Sequence, residues 1–172
     1  NRFHKNFSNL YRGNIFSAGD DKAGYYLQPG LIPLLKSRVP AIKDAARVAE
    51  GLGSGVVVVP GPNAENISFT EEKVSYADGS FFKMFSFPLA VGNVAVSEAR
   101  TMAISASTAK KYVGNGNAVG NTVTLKNQFG STIYTVTTVF KDISAQSDIN
   151  ANIFLSFKTL ESPAFRNGND WA

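Results

Sequence analysis

The sequence predicts an α+β fold in which mixed, largely antiparallel sheets carry two to three short helices. Segments that alternate apolar and polar residues follow one another closely along the chain, which favours pairing between neighbouring strands. Two segments instead have apolar residues at helical spacing, and clusters of glycine, asparagine and proline separate the segments. We therefore expect about eight short strands with a few helices between them.

The first fifty residues are predicted to hold two helical segments and an early strand, followed by one ambiguous segment. Asn1–Leu10 has the spacing of a short amphipathic helix, and Tyr11–Ala18 reads as a strand. Pro29–Pro40 is helical in its middle, with an apolar face of leucines and an end at Pro40. Ala41–Gly51 fits either a helix or a strand. We favour a strand there, with Ile42, Ala46 and Val48 pointing inward.

Two strand segments precede an aromatic stretch. Gly55–Pro60 has the composition of a short buried strand. Ile67–Tyr76 alternates as a strand does, with a turn or bulge at Glu71-Glu72 that we expect to be an exposed polar tip.

The stretch Tyr76–Gly92 holds four of the thirteen phenylalanines of the chain. Phe81 and Phe85 share one face of a predicted helical turn, which Asp78 or Ser80 would cap. A buried phenylalanine contributes about 1.5–3 kcal/mol to stability, so the sequence predicts a packing anchor without reactive groups.

The second half of the chain is predicted to be rich in strands. After a surface connection at Val94–Arg100, a helix at Ala106–Val113 begins at a cap on Ser105 or Ser107 and buries Ala109, Tyr112 and Val113. Gly114 is its expected C-cap. The predicted strands are Thr101–Ser105, Thr122–Leu125, Thr132–Phe140 and Ile153–Phe157, with a polar turn at Lys126–Gly130 and a loop at Lys141–Asn150.

No residues are predicted to be catalytic, to bind a cofactor or to bind a metal. The chain has no cysteine and one histidine, His4, which alone supplies neither a catalytic triad nor a metal site. Asp20-Asp21 lacks the further oxygen ligands of a calcium loop. The glycine-rich segment GNGNAVG at 114–120 follows a helix and leads to a strand, the reverse of the order in phosphate-binding loops.

The charge pattern argues against a nucleic-acid partner. The net charge is +4, but the basic residues are spread along the chain, and the only adjacent basic pair is Lys110-Lys111. No apolar run approaches the roughly 18 residues of a membrane helix. Since the chain begins at Asn1 rather than at methionine, we expect it to be a piece of a longer protein.

Three blocks in a fixed order resemble a known family. The blocks are VSYADGSFFKMFSFPLAVGN at 74–93, MAISASTAKKYVGNGNAVGNTVTL at 102–125 and YTVTTVFKDISAQSDINANIFLSF at 134–157. Together they resemble the MacB-type periplasmic core domain of FtsX-like ABC transporter permeases. Thr138, Ser144 and Asp148 depart from the residues usual in that pattern, all at positions that we interpret as structural.

The resemblance implies a non-catalytic extracytoplasmic domain of a permease subunit in the cell inner membrane. It would transmit ATP-driven movement of the membrane helices to periplasmic partners or substrate, in efflux, lipoprotein release or a related process. Implied partners are a second permease subunit, a cytoplasmic ATPase acting through the membrane helices, and a periplasmic adaptor protein.

The family architecture has two lobes, a membrane-proximal α/β lobe and a β-rich inserted lobe. By this resemblance, residues 1–172 form one core domain with the β-rich lobe at about 55–130. Family members normally continue past the position of Trp171, so the resemblance also implies that the C-terminal part of the domain is truncated here.

Two other functions stay open on the sequence alone. A stand-alone periplasmic binding or adhesion module could share the fold, and it would have a pocket lined by converging polar groups. An extracytoplasmic hydrolase would depend on His4. Tyr25-Tyr26 is a candidate partner contact, with packing on its own domain as the alternative.

Overall fold

A computed structural model describes residues 7–13, 29–61, 63, 65–92, 96–144 and 147–162. Three α-helices lie in this part of the chain: α1 (Leu31–Arg38), α2 (Gly79–Met84) and α3 (Ala106–Val113). The strands are β1 (Val48–Ala49), β2 (Gly55–Pro60), β3 (Asn66–Glu71), β4 (Val74–Ala77), β5 (Leu89–Gly92), β6 (Thr101–Ser105), β7 (Thr122–Asn127), β8 (Gly130–Phe140) and β9 (Ile153–Ser156). Short 3-10 helices cover Phe7–Asn9 and Phe157–Thr159.

All nine strands belong to one sheet with the order β1-β4-β9-β6-β8-β7-β2-β3, and β5 pairs with β8 beside this path. The pairs β4 with β9 and β6 with β8 are parallel, and the other described pairs are antiparallel. The prediction of an α+β fold with a mixed, largely antiparallel sheet is confirmed. The boundaries of a β-rich lobe at about 55–130 stay a prediction, and the described strands run through that range as one continuous sheet.

Apolar side chains are buried on both faces of this sheet. In β6, Met102 and Ile104 belong to one apolar cluster and Ala103 to another, as the alternation of side chains along a strand requires. The first cluster lies under α3, and we call this side the α3 face. The second lies under α2, and we call that side the α2 face. The central strands are therefore buried on both sides.

Two predicted strands and one helix are confirmed with the predicted bounds, and a third strand is confirmed to within one residue. The bounds of β2, β6 and α3 agree with the sequence prediction residue by residue. Ser105 caps α3, because its Oγ accepts a hydrogen bond from the Thr108 N–H at 3.2 Å. Gly114 ends the helix at φ +59°, and its N–H donates to the Lys110 carbonyl. The strand predicted at Ile153–Phe157 ends at Ser156, where a 3-10 helix begins.

Several predictions about the first half are wrong. Ala41–Gly51 contains only the two-residue strand β1, and Val48, expected to point inward, is exposed. The segment Ile67–Tyr76 forms two strands that do not pair with each other: β3 pairs with β2, while β4 pairs with β9 and β1.

The strand β2 buries only Val57 and Val59, so it alternates instead of being buried throughout. The leucines Leu34 and Leu35 of α1 are exposed.

In the second half, β7 and β8 are longer than predicted. They extend to Asn127 and from Gly130, so the predicted five-residue turn shrinks to Gln128-Phe129 with Gly130 at φ +99°. The strand β5 was not predicted. Val96, in the expected surface connection Val94–Arg100, is buried at φ +47°.

Some predictions fall outside the described residues. These are the calcium and partner interpretations of Asp20-Asp21 and Tyr25-Tyr26, the position of His4, most of the strand at Tyr11–Ala18, and the chain end near Trp171. Of the helix predicted at Asn1–Leu10, only the 3-10 turn Phe7–Asn9 is described.

Candidate functional site

The described residues contain no group of three or more His, Cys, Asp or Glu side chains that could hold a metal ion. Within the same residues, no helix is long and apolar enough to cross a membrane. The features that stand out are an aromatic cluster, two charged junctions and one cavity, and each joins elements that are distant in sequence.

The aromatic cluster lies on the α2 face and confirms the predicted packing anchor. Phe81 and Phe82 are buried, and Phe81 lies 4.8 Å from Phe85 between ring centroids, as the helical spacing predicts. The rings of Phe81 and Phe82 both contact that of Phe154 in β9, with centroid distances of 5.2 and 5.3 Å. Offset and edge-on contacts of this kind add to the area that the rings bury. Helix α2 is therefore fixed to the centre of the sheet.

The predicted caps of α2 are wrong, because Asp78 and Ser80 bind the preceding chain segment instead. The described structure has no side-chain capping hydrogen bond at Asp78. Its carboxylate accepts hydrogen bonds from the N–H of Arg47 and from its Nε and Nη2, at 2.8, 2.9 and 2.9 Å. The Ser80 hydroxyl donates to the Ala45 carbonyl at 2.7 Å. These bonds join the chain before β1 to the start of α2.

Arg47 is the centre of this first charged junction, which we call the Arg47 junction. Besides the paired hydrogen bonds to Asp78, its Nη2 donates to Glu161 Oε1 at 2.6 Å. The guanidinium carbon lies 4.1 Å from the ring centroid of Phe157. Planar guanidinium groups suit both paired carboxylate bonds and stacking on an aromatic face.

The environment of Arg47 stabilises its protonated, positively charged form. Burial alone would lower the pKa of the guanidinium, but hydrogen bonds to Asp78 and Glu161 outweigh that effect and raise the pKa. The side chain is 11% exposed, so the ion pairs are partly shielded from water. Removing one partner would leave a charge poorly solvated.

The second charged junction is formed by Glu71, which we call the Glu71 junction, and here the sequence prediction is wrong. Glu71 was expected on an exposed tip, but it is 5% exposed. Its Oε1 accepts a hydrogen bond from the Tyr112 hydroxyl at 2.9 Å and forms an ion pair with Lys111. The Lys111 ammonium lies 5.0 Å from the Phe69 ring centroid, and the rings of Phe69 and Tyr112 stack at 5.3 Å.

This junction attaches α3 to the edge strand β3. Phe69 and Glu71 are two residues apart and so project to the same face of β3, toward α3. Burial, followed by the nearby carboxylate of Glu71, raises the pKa of the Tyr112 hydroxyl, so that this hydroxyl stays protonated and can donate.

A pair of buried tyrosines lies near the middle of the α3 face. The hydroxyls of Tyr76 and Tyr134 are 3.2 Å apart, and burial raises the pKa of both. The Tyr134 hydroxyl is also hydrogen-bonded to Thr159. The Thr159 hydroxyl oxygen in turn accepts a hydrogen bond from the Arg100 N–H at 2.8 Å. These groups satisfy one another inside an apolar core.

A cavity of about 360 Å³ lies beside the C-terminal end of α3. Apolar side chains of the sheet and of α3 line most of it, and Asn121 and Thr122 add polar groups. Tyr112 also lines the cavity, and its hydroxyl donates a hydrogen bond to Glu71. The side chains with polar groups in the lining are those of Tyr112, Asn121 and Thr122. The glycine-rich segment supplies Gly120, at φ +93°, to its wall.

Sequence reasoning missed Arg47 and misplaced Glu71. Nothing local marks Arg47, because its carboxylate partners lie 31 and 114 residues away. Glu71 could have been found, since it continues the alternation Ile67, Phe69 on one side of β3.

The comparison with family models identifies the family of this chain, and the comparison with solved structures identifies its fold. A family model described as the MacB-like periplasmic core domain matches residues 1–171. A solved domain of a protein assigned as a permease, from Porphyromonas gingivalis, is 23% identical with a TM-score of 0.62, over 83% of this chain. The periplasmic region of MacB from Actinobacillus actinomycetemcomitans is 19% identical with a TM-score of 0.59, over 86% of this chain.

These likenesses show a shared fold. The chain spans 64% of the length of each of those two solved structures. No curated protein sequence matches it.

Proposed function

Because this chain belongs to the MacB-like periplasmic core domain family, we propose that it is a non-catalytic domain that transmits movement in an ABC transporter permease. The domain lies on the extracytoplasmic side of the cell inner membrane. ATP hydrolysis by a cytoplasmic ATPase moves the membrane helices, and the domain passes that movement to periplasmic partners or substrate.

The observation that carries this proposal is the family match over residues 1–171. The packing supports it, because a transmitting body must move as a unit. The central strands β6, β8 and β9 are buried on both faces, and α2 and α3 are fixed to opposite sides of them. Close packing of this kind resists deformation and passes displacement on.

We propose that the working assembly contains a second permease subunit and a periplasmic adaptor protein. The exposed apolar side chains of the sheet, Ile133 and Val91 among them, are available for such contacts.

The sequence flanking the domain in its parent gene tests the proposal. We expect a stretch of about 20 apolar residues immediately before Asn1, and further membrane helices after the domain. A cleavable signal peptide followed by no membrane helix would instead indicate a free periplasmic module and would exclude the permease function.

A further inference from the structure

We propose that the Arg47 junction couples the segment 157–162 to helix α2, so that the two unfold locally in one step. We call this coupling contact the latch. The latch joins three parts of the chain: the segment before β1, the start of α2 and the segment 157–162 after β9. As a route for transmitted movement it rests on the proposed function. As a coupling between two segments it does not.

Two sets of hydrogen bonds, one at Arg47 and one at Ala45, join the segment before β1 to the start of α2. Arg47 donates three hydrogen bonds to the Asp78 carboxylate, and its carbonyl accepts one from the Asp78 N–H at 3.1 Å. The Ser80 hydroxyl adds a bond to the Ala45 carbonyl. Since α2 carries Phe81 and Phe82, a displacement of Arg47 reaches the aromatic cluster through these bonds.

The contact with the C-terminal segment uses the same guanidinium group. Its Nη2 holds Glu161 at 2.6 Å, and its face covers Phe157 at 4.1 Å. Both residues flank the turn that follows β9, and Phe157 is buried. The segment therefore cannot leave the sheet without breaking the ion pair and uncovering the ring.

Arg47 is the cation between two carboxylates. Asp78 Oδ1 and Glu161 Oε1 both accept from its Nη2, at 2.9 and 2.6 Å, so without Arg47 the two carboxylates would repel each other at close range. Lysine keeps the charge but cannot reproduce the paired bonds and the stacking. The latch thus depends on arginine.

Hydrogen exchange of the backbone amides, followed segment by segment, tests the coupling in the intact chain. In the native protein we expect 78–84 and 157–162 to open with a common free energy. In Arg47→Met both segments should exchange faster by about tenfold or more, while β6 stays protected. In Arg47→Lys the acceleration should be smaller.

A second variant keeps the test decisive if Arg47→Met does not fold. In Glu161→Gln the contact with α2 is intact, so we expect 157–162 to exchange faster while 78–84 keeps its native rate. The matched control is Lys158→Met, which removes an exposed ion pair to Glu98 from the same segment, 157–162.

Two results would overturn the latch: unequal native opening of the two segments, or acceleration of only one of them in Arg47→Met. Neither result bears on the genes flanking the domain, and an absent membrane helix would leave the exchange pattern unchanged. The latch and the proposed function therefore fail separately.

Discussion

Glu71 carries a carboxylate that the fold shields almost completely from water. It is held by the Tyr112 hydroxyl and the Lys111 ammonium, and it attaches the edge strand β3 to α3. Glu71→Ala would leave the Tyr112 hydroxyl without its acceptor beneath α3. We expect the free energy of unfolding, measured by urea denaturation, to fall by about 2 kcal/mol.

The neighbouring residue provides the control. Glu72 is exposed, and we expect Glu72→Ala to change stability by less than about 0.5 kcal/mol. Equal effects of the two substitutions would contradict the burial of Glu71. A loss confined to Glu71→Ala would show that only one carboxylate of the adjacent pair supports the fold.

At the scale of elements, α2 is held chiefly by its rings. Phe82 is buried, and its centroid lies 5.3 Å from both Phe87 and Phe154. Phe82→Ala removes these contacts and leaves a cavity over the sheet, so we expect a loss of about 3–5 kcal/mol. Urea denaturation measures it, and Lys83→Ala, on the exposed side of the same helix, is the control. A near-neutral Phe82→Ala would show that the aromatic cluster is not an anchor.

Elements whose signals are local could be predicted, and elements that depend on distant partners could not. Helix α3 has its cap, its apolar face and its glycine end within ten residues, from Ser105 to Gly114, so its bounds follow from the sequence. The strand β1 exists because Val48 and Ala49 pair with Ala77 and Tyr76. No pattern within Ala41–Gly51 contains that information.

At the scale of the whole molecule, the sheet order is the property that the sequence did not reveal. The pairs β4 with β9 and β6 with β8 are parallel and join strands far apart in the chain. Alternation indicates which side of a strand is buried, but it does not identify the neighbouring strand. The same holds for the candidate site, because the Arg47 junction forms only when the segment before β1, the start of α2 and the segment 157–162 after β9 meet.

The buried tyrosines make the stability of the whole fold depend on pH. The pKa of Tyr76, Tyr112 and Tyr134 is raised above the ordinary value of 10.0, in each case first by burial. Above pH 10 the unfolded chain therefore releases protons that the folded chain retains, which favours unfolding. The stabilisation is complete below about pH 10 and decreases above it, at a rate that approaches about 1.4 kcal/mol per pH unit for each hydroxyl that stays protonated in the folded chain.

Tyr134→Phe isolates one of these groups. Between pH 10 and pH 11 we expect its unfolding free energy to decrease less than that of the native chain, by about 1 kcal/mol over this interval. The measurement is urea denaturation at a series of pH values, with tyrosinate absorbance recorded on the folded protein. Tyr11→Phe is the control, since that ring is 89% exposed. Identical slopes for Tyr134→Phe and the native chain would mean that the Tyr134 hydroxyl ionises as readily in the folded protein as in the unfolded one.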